Sequence, residues 1–219
     1  MDGIANWFSY VFDHGGDIAE ATLQHAQLVL VVIALATVFS LVLGIAVQGH
    51  PVASSVALST AGIFLTIPSL ALFALFIPIV GIGNPPAMMA LFLYAILPIL
   101  RNTVTGLADV DPAVVESAKG MGMGAGRQLL QVKLPLAWPV IMAGVRVSSL
   151  LVVGIAAIAV LVGGNGLGSF IAGALTRLGL PGSVESLWVG VIFTVLLGLI
   201  LDTVFAFVQR LTTSSGLRN

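Results

Sequence analysis

The chain has 219 residues, 58% of them hydrophobic and only 8% charged, with a mean hydropathy of +1.14, whereas soluble domains carry roughly a quarter charged residues. Eight basic residues against nine acidic ones leave a formal net charge of -1, which excludes a basic stripe for nucleic acid and a solvating acidic tail, so the partner solvent is lipid. No cysteine is present, which excludes disulfides, thiol catalysis and cysteine-based metal sites. His14, His25 and His50 stand far apart, outside the spacing of a zinc motif, and are read as solvent-side or interfacial histidines with no metal site.

In chain order, residues 1–25 read as an extracytoplasmic or interfacial N-terminus: Ile4, Trp7, Phe8, Val11 and Phe12 recur at helical spacing and form an interfacial stripe. An uncharged run of about 20 apolar residues matches the hydrocarbon thickness as a helix, and 28–47 is the first such span. A polar stretch rather than a basic segment precedes it, so it reads as a retained anchor. The second span, 56–80, contains Pro68, which removes an internal hydrogen bond and predicts a kink or break. The third, 87–100, is short, carries Pro98 and extends a little past Arg101. The fourth covers 138–162 and the fifth 187–208. Between these two, the glycine-rich stretch 163–173 suits a re-entrant or interfacial turn, tolerable only where protein surrounds it. The fold class is therefore all-α: a polytopic membrane protein of about five transmembrane helices, forming one domain over 1–219.

Lysine and arginine accumulate in cytoplasmic loops. Arg101, Lys119, Arg127, Lys133 and Arg146 lie in or beside the loop after the third span, and Arg210 and Arg218 in the C-terminal tail. The N-terminal stretch holds Asp2, Asp13, Asp17 and Glu20 without a basic residue. The bias puts the N-terminus outside and the C-terminus in the cytoplasm, as an odd number of spans requires.

The cytoplasmic loop 101–139 reads as structured. Asp111 followed by Pro112 is a helix start, the carboxylate capping free amides and the proline standing where no amide is needed. A short amphipathic helix follows through Lys119 and stops at Gly120, Gly122 and Gly124. A second short helix holds Arg127, Gln128, Leu129, Leu130 and Val132, before Pro135 and Pro139 set the entry into the next span.

Glu116, Ser117 and Ala118, then Gly122, then Val132, Lys133, Leu134 and Pro135 resemble, at matching spacing, the EAA loop of binding-protein-dependent ABC importer permeases. Ser117 and Val132 are conservative departures from that pattern. The resemblance implies a cytoplasmic coupling helix seated on an ATPase subunit, with Ala118 in close contact, Gly122 at the turn and Glu116 at the rim; a stiff helix and a hinge suit the transfer of rigid-body motion. Further phrases, Thr66 to Leu72, Gly164-Asn165-Gly166-Leu167-Gly168, and Asp202 in the last span, resemble the permeases that import glycine betaine, choline, carnitine and proline. What this implies is a non-catalytic bacterial plasma-membrane subunit that pairs with a second copy or a paralogue. Two cytoplasmic ABC ATPase subunits would drive it and an extracytoplasmic solute-binding protein would deliver solute. The sequence has no GxxxxGK[ST], so ATP and magnesium would belong to the partner ATPase, with no cofactor in this chain.

Within the spans, Thr66, Pro68 and Ser69 are candidates for the translocation path, since transporters place broken helices around their substrate route; a packing kink explains Pro68 equally well. Asn165 suits an outer gate or a tight turn. Asp202 lies about two helical turns from Arg210, which favours a hydrogen-bonded structural role. Tyr94 and Trp188 read as interfacial anchors near helix ends, which leaves solute selectivity to the binding protein. An ion-coupled secondary transporter or channel would require more ionisable residues inside the spans and a longer or repeated chain. An intramembrane protease would require a His, Glu or Ser constellation there, which the sequence does not offer.

Overall fold

The computed structural model describes residues 2–213, and the basic Arg218 of the tail lies outside them. Among the described residues every regular element is helical. In order they are α1 (Asp2–Asp13), α2 (Gly15–Val47), α3 (Pro51–Thr66), α4 (Ser69–Val80), α5 (Asn84–Ala108), α6 (Pro112–Gly120), α7 (Ala125–Gln128), a π turn (Leu129–Lys133), α8 (Leu134–Ala156), a 3-10 turn (Ala159–Val162), α9 (Gly168–Thr176) and α10 (Ser183–Thr212).

Four of these helical stretches are long and apolar enough to cross a membrane: α2, α5, α8 with its lead-in from α7, and α10. The second expected span is present as a broken pair, α3 and α4, bent by 98° at Ile67 and Pro68. Pro68 has no amide to continue the ladder, and the residue before a proline is pushed into extended backbone; Ile67 accordingly sits at φ -77, ψ 131.

The bent pair crosses the whole bundle rather than turning back. At its start, Gln48, Pro51 and Ser54 share a cavity wall with Leu107, Pro112 and Glu116, at the end of the bundle that carries α6. At its finish, the Gly83 amide donates to the Val162 carbonyl at 2.9 Å, at the opposite end. The chain therefore crosses five times. α10 starts beside Tyr10, near the N-terminal helix, and ends where the Trp138 indole donates to the Thr212 hydroxyl at 2.6 Å. The N-terminal helix and the end of α10 thus lie at opposite ends of the bundle.

α5 occupies the centre, packed on α2, α3, α4 and α8. Small residues bring these helices close, as packing in lipid favours. A Cβ on Gly144 of α8 would lie 2.8 Å from the Pro98 carbonyl of α5, and one on Gly44 of α2 would lie 2.5 Å from the Thr103 methyl. The core at these crossings includes Val29, Val32, Ala36, Ala90, Leu91, Ile99 and Val152.

Several boundaries differ from expectation. The helix that carries the first span begins at Gly15, so the stretch 15–25 continues that helix, whose 33 residues exceed the hydrocarbon thickness, and only α1 forms a separate N-terminal element. Gln and Thr side chains in that stretch bond along the helix and mask its length from a hydropathy reading, as with Thr22 donating to the Ile18 carbonyl. The fourth span stops at Ala156, and the last part of the expected segment is the 3-10 turn. The second loop helix is one turn of α7 running through a π turn directly into α8, with Pro135 and Pro139 in the first turns of α8 rather than before it.

Candidate functional site

At one end of the bundle α6 hangs between α5 and α8. Asp111 caps it: its Oδ1 accepts the Ala113 amide at 2.8 Å, and Pro112 occupies the first turn. Glu116 and Ser117 are exposed, and the Ser117 hydroxyl is tied to the Ala113 carbonyl at 2.8 Å. Gly122 has φ +81 and open space around it. It closes the turn with its amide on the Lys119 carbonyl at 3.0 Å, while the Met123 amide bonds the Ala118 carbonyl at 3.1 Å. Val132 and Leu134 are half-buried and Pro135 is exposed. Ala118 departs from expectation: it is 2% exposed, so its methyl packs inward under the loop instead of facing a partner. A cavity of about 580 Å³ opens beside α6, lined among others by His50, Ser54, Glu116 and Lys133.

The break between α3 and α4 is held by a residue that the sequence reading put elsewhere. Tyr94 is not an interfacial anchor at a helix end: it is 3% exposed near the middle of α5, and its hydroxyl donates to the Ile67 carbonyl left open by the break. Buried carbonyls are satisfied as a rule, and a tyrosine hydroxyl is a donor that tolerates an apolar setting. Around this point Thr66 and Pro68 are exposed and Ser69 is half-buried, with the Thr66 hydroxyl on the Ile63 carbonyl. Trp188, by contrast, is exposed near the start of α10, as an interfacial residue would be.

The glycine-rich stretch after α8 packs closely on neighbouring segments along one side, with Gly163, Asn165 and Ser169 left exposed. A Cβ on Gly163 would meet Ile82 at 2.4 Å, one on Gly166 would meet His25 at 3.1 Å, and one on Gly168 would lie 1.9 Å from the Ala157 carbonyl. Asn165 is exposed at its apex, and its amide donates to Oδ1 of Asn84 at the start of α5 at 2.9 Å. Thr66, Pro68 and Ser69 thus sit at the break, and Asn165 at the α9 end of the bundle. α4 and the turn into α5 join the two places.

Two more polar features lie inside the spans. His25 is fully buried, so it is neither solvent-side nor interfacial: its Nε2 stands 3.1 Å from the Val153 carbonyl of α8, and its Nδ1 is buried without a partner. A signal for this was present, because His25 falls on one helical face with Ile18, Ala21, Leu28 and Val32. Asp202 is paired with Arg146 of α8, not Arg210, through Nε to Oδ1 and Nη2 to Oδ2, both at 2.8 Å. Arg146 belongs to the interior of α8 rather than to the loop; its position inside the expected fourth span was the clue. His14, at the head of α2, stacks on Tyr10 with ring centroids 4.0 Å apart.

The family model of the binding-protein-dependent transport system inner membrane component matches residues 36–214. The glycine betaine/carnitine/choline transport system permease protein OpuCB of Bacillus subtilis (strain 168) is 37% identical over 210 residues, which is 96% of this chain and 95% of the relative. The choline transport system permease protein OpuBB of the same organism is 38% identical over 205 residues, 94% of this chain and 93% of the relative. The osmoprotectant import permease protein OsmW of Salmonella typhimurium is 37% identical over 215 residues, 95% and 98% of the two chains. A solved structure of the MetNI methionine ABC transporter in an inward-facing conformation superposes with a TM-score of 0.76 over 90% of this chain and 96% of that one, at 22% identity. At that identity the likeness speaks to the fold.

Proposed function

We propose, because this chain belongs to the family of binding-protein-dependent transport system inner membrane components, that it is the permease subunit of an ATP-driven importer of small osmoprotectants such as glycine betaine, choline, carnitine or proline. The printed names of its relatives support the solute class. The observation that carries the subunit role is α6 itself, a short Asp111-capped helix with an exposed Glu116 and a positive-φ glycine turn, slung between two membrane-crossing helices.

In this reading the exposed face of α6, with Glu116, Ser117, Gly122, Val132, Leu134 and Pro135 on or behind it, docks on a cytoplasmic ABC ATPase subunit. That subunit binds ATP and magnesium, and the permease does no bond chemistry. Ala118 sets the seat of the helix from within. A second copy or a paralogue completes the translocation path, and an extracytoplasmic solute-binding protein delivers solute to the α9 end. The N-terminus faces outside and the end of α10 the cytoplasm of a bacterial plasma membrane, in keeping with the positive charge around α6. Thr66, Pro68 and Ser69 at the break and Asn165 at the outer end line the route. None of Thr66, Pro68, Ser69 and Asn165 is aromatic, and quaternary ammonium groups are held by aromatic cages, so recognition of the ammonium group resides in the binding protein.

The test is reconstitution with the ATPase and binding protein. The complex should co-purify and take up radiolabelled glycine betaine or choline at raised osmolarity in a strain lacking its own importers. An assembled complex that moves none of glycine betaine, choline, carnitine or proline overturns the solute class alone. Failure to associate with an ATPase overturns the importer reading. After a swap of binding proteins between related systems, preference among the carboxylate-bearing solutes should follow the binding protein; if it follows the permease, the assignment of ammonium recognition fails.

A further inference from the structure

We propose that the Arg146–Asp202 pair lines the water-filled translocation route and that Arg146 offers its spare N–H donors to the carboxylate of a zwitterionic solute passing it. The proposal rests on the permease reading above.

The pair lies deep in the membrane. Arg146 is about 18 Å along α8 from its first residue, and Asp202 is about 15 Å from the last residue of α10, at 1.5 Å per residue. It is the only ion pair among the described residues. Its geometry is a fork: Nε and Nη2 each give one hydrogen bond to the carboxylate, and Nη1 gives none. A guanidinium carries further N–H donors beyond the two engaged, and these have no partner here.

The pair is also not enclosed. The side chains of Arg146 and Asp202 remain 35% and 26% exposed. On their helix faces Ala143, Leu150 and Leu199 are exposed while Met142, Ser149 and Gly198 are buried, so the pair sits at the edge of the bundle. A half-exposed ion pair with unused donors cannot face hydrocarbon, where no acceptor exists for them; ionisable groups inside spans face the bundle interior or a water-filled cavity. This chain's own bundle does not cover the pair, since its exposed edge looks outward between α8 and α10. Water and a polar solute on the route built with the second permease supply what is missing.

The chemistry then selects the ligand class. Asp202 holds the guanidinium in place and cancels most of its charge. The spare N–H donors of Nη1 can still bond a carboxylate briefly, because a paired arginine holds an anion less strongly than a free one. A neutralised, geometrically fixed donor suits a route that must let its solute leave. Glycine betaine, carnitine and proline carry a carboxylate; choline does not.

Two experiments test this. The sequence has no native cysteine, so Ala143→Cys and Leu199→Cys report alone in the assembled complex. A small charged methanethiosulfonate reagent should modify both at least tenfold faster than Val38→Cys, an exposed position of α2 in an apolar groove. Rates equal to that of Val38→Cys place the pair away from water and overturn the proposal, whatever the solute. The second is the double variant Arg146→Met with Asp202→Leu, which removes both charges together. The ratio of glycine betaine to choline uptake should fall at least tenfold; an unchanged ratio in an assembled complex overturns the carboxylate role. A complex in which neither native nor variant chains transport either solute counts against the solute class, and the labelling rates then decide the route assignment alone.

Discussion

Replacing Gly122 by valine isolates the backbone of the α6 turn from its packing. Gly122 has φ +81, and an added Cβ would meet nothing within 4 Å, so the substitution creates no clash. What it adds is the cost of holding an L residue in the left-handed region, about 1–2 kcal/mol, more for a β-branched side chain. The turn is held by the Gly122 and Met123 amides on the Lys119 and Ala118 carbonyls, each worth about 1 kcal/mol net. Strain and restraint are therefore of the same size, and the turn opens in a large fraction of molecules while the bundle stays folded. Uptake and solute-stimulated ATP hydrolysis should fall roughly two- to fivefold, because a net balance near zero to 1 kcal/mol leaves about half to a fifth of the turns closed, with the amount of membrane-inserted chain unchanged. Gly122→Asn should lose less, because asparagine visits this region more readily. Gly120→Ala, at the end of α6 with open space and no positive φ, should leave both activities intact. The reasoning is refuted if Gly122→Val transports and hydrolyses ATP at native rates, or if Gly120→Ala is as damaging.

Other expectations follow from the same geometry. Tyr94→Phe removes the donor to the Ile67 carbonyl and leaves a partly buried acceptor unpaired, at a cost of about 1 kcal/mol; the melting temperature of the detergent-purified complex should drop by a few degrees, and an unchanged value means that the break is held by other contacts. Gly168→Ala sets a methyl against the Ala157 carbonyl, a backbone atom that cannot yield, and should strongly reduce accumulation in the membrane, whereas Gly173→Ala, with nothing within 4 Å, should accumulate normally. For topology, Leu180→Cys, 60% exposed at the α9 end, should react with an impermeant thiol reagent in intact cells, and Val52→Cys, 78% exposed at the α6 end, only after lysis. The reverse pattern inverts the orientation. Ser183 is a poor reporter because it is 4% exposed, and Ser215 lies outside the described residues.

The spans and the loop helix were legible because their signals are local. A run of uncharged apolar residues, an Asp-Pro start and a cluster of glycines each act within a few positions. The break at Pro68 was legible for the same reason, since one missing amide and one restricted neighbour suffice to make it. What could not be read is whatever depends on a partner far along the chain. Tyr94 finds the Ile67 carbonyl only after α5 packs on the broken span, and Arg146 meets Asp202 across an α8–α10 contact between residues 56 positions apart. His25 was misread because a histidine among polar neighbours scores as solvent-facing, although its spacing with Ile18, Ala21 and Val32 pointed inward. Ala118 was misread because small residues suit both an external contact and an internal one. The loop's own wrapping chose the second.

The rigid unit that connects the two ends of the bundle is the α5–α8 pair. Gly106 stands where a Cβ would touch Val140 at 3.1 Å, and Gly144 where one would touch the Pro98 carbonyl at 2.8 Å, so the two helices are closely interlocked at both ends of their contact. Packed interfaces of this kind move as bodies rather than deform. α6 is suspended from the lower ends of both helices, and a displacement of α6 therefore turns the pair together. The same pair carries the contacts that define every other candidate position. α5 presents Tyr94 to the break at Ile67 and Asn84 to the amide of Asn165, and α8 presents Arg146 to Asp202 and the Val153 carbonyl to His25. On the reading proposed above, a push at the α6 end would reach the break, the ion pair and the glycine turn through direct contacts of one body, with no chain of intermediate rearrangements needed to join an ATPase-driven motion to the proposed route.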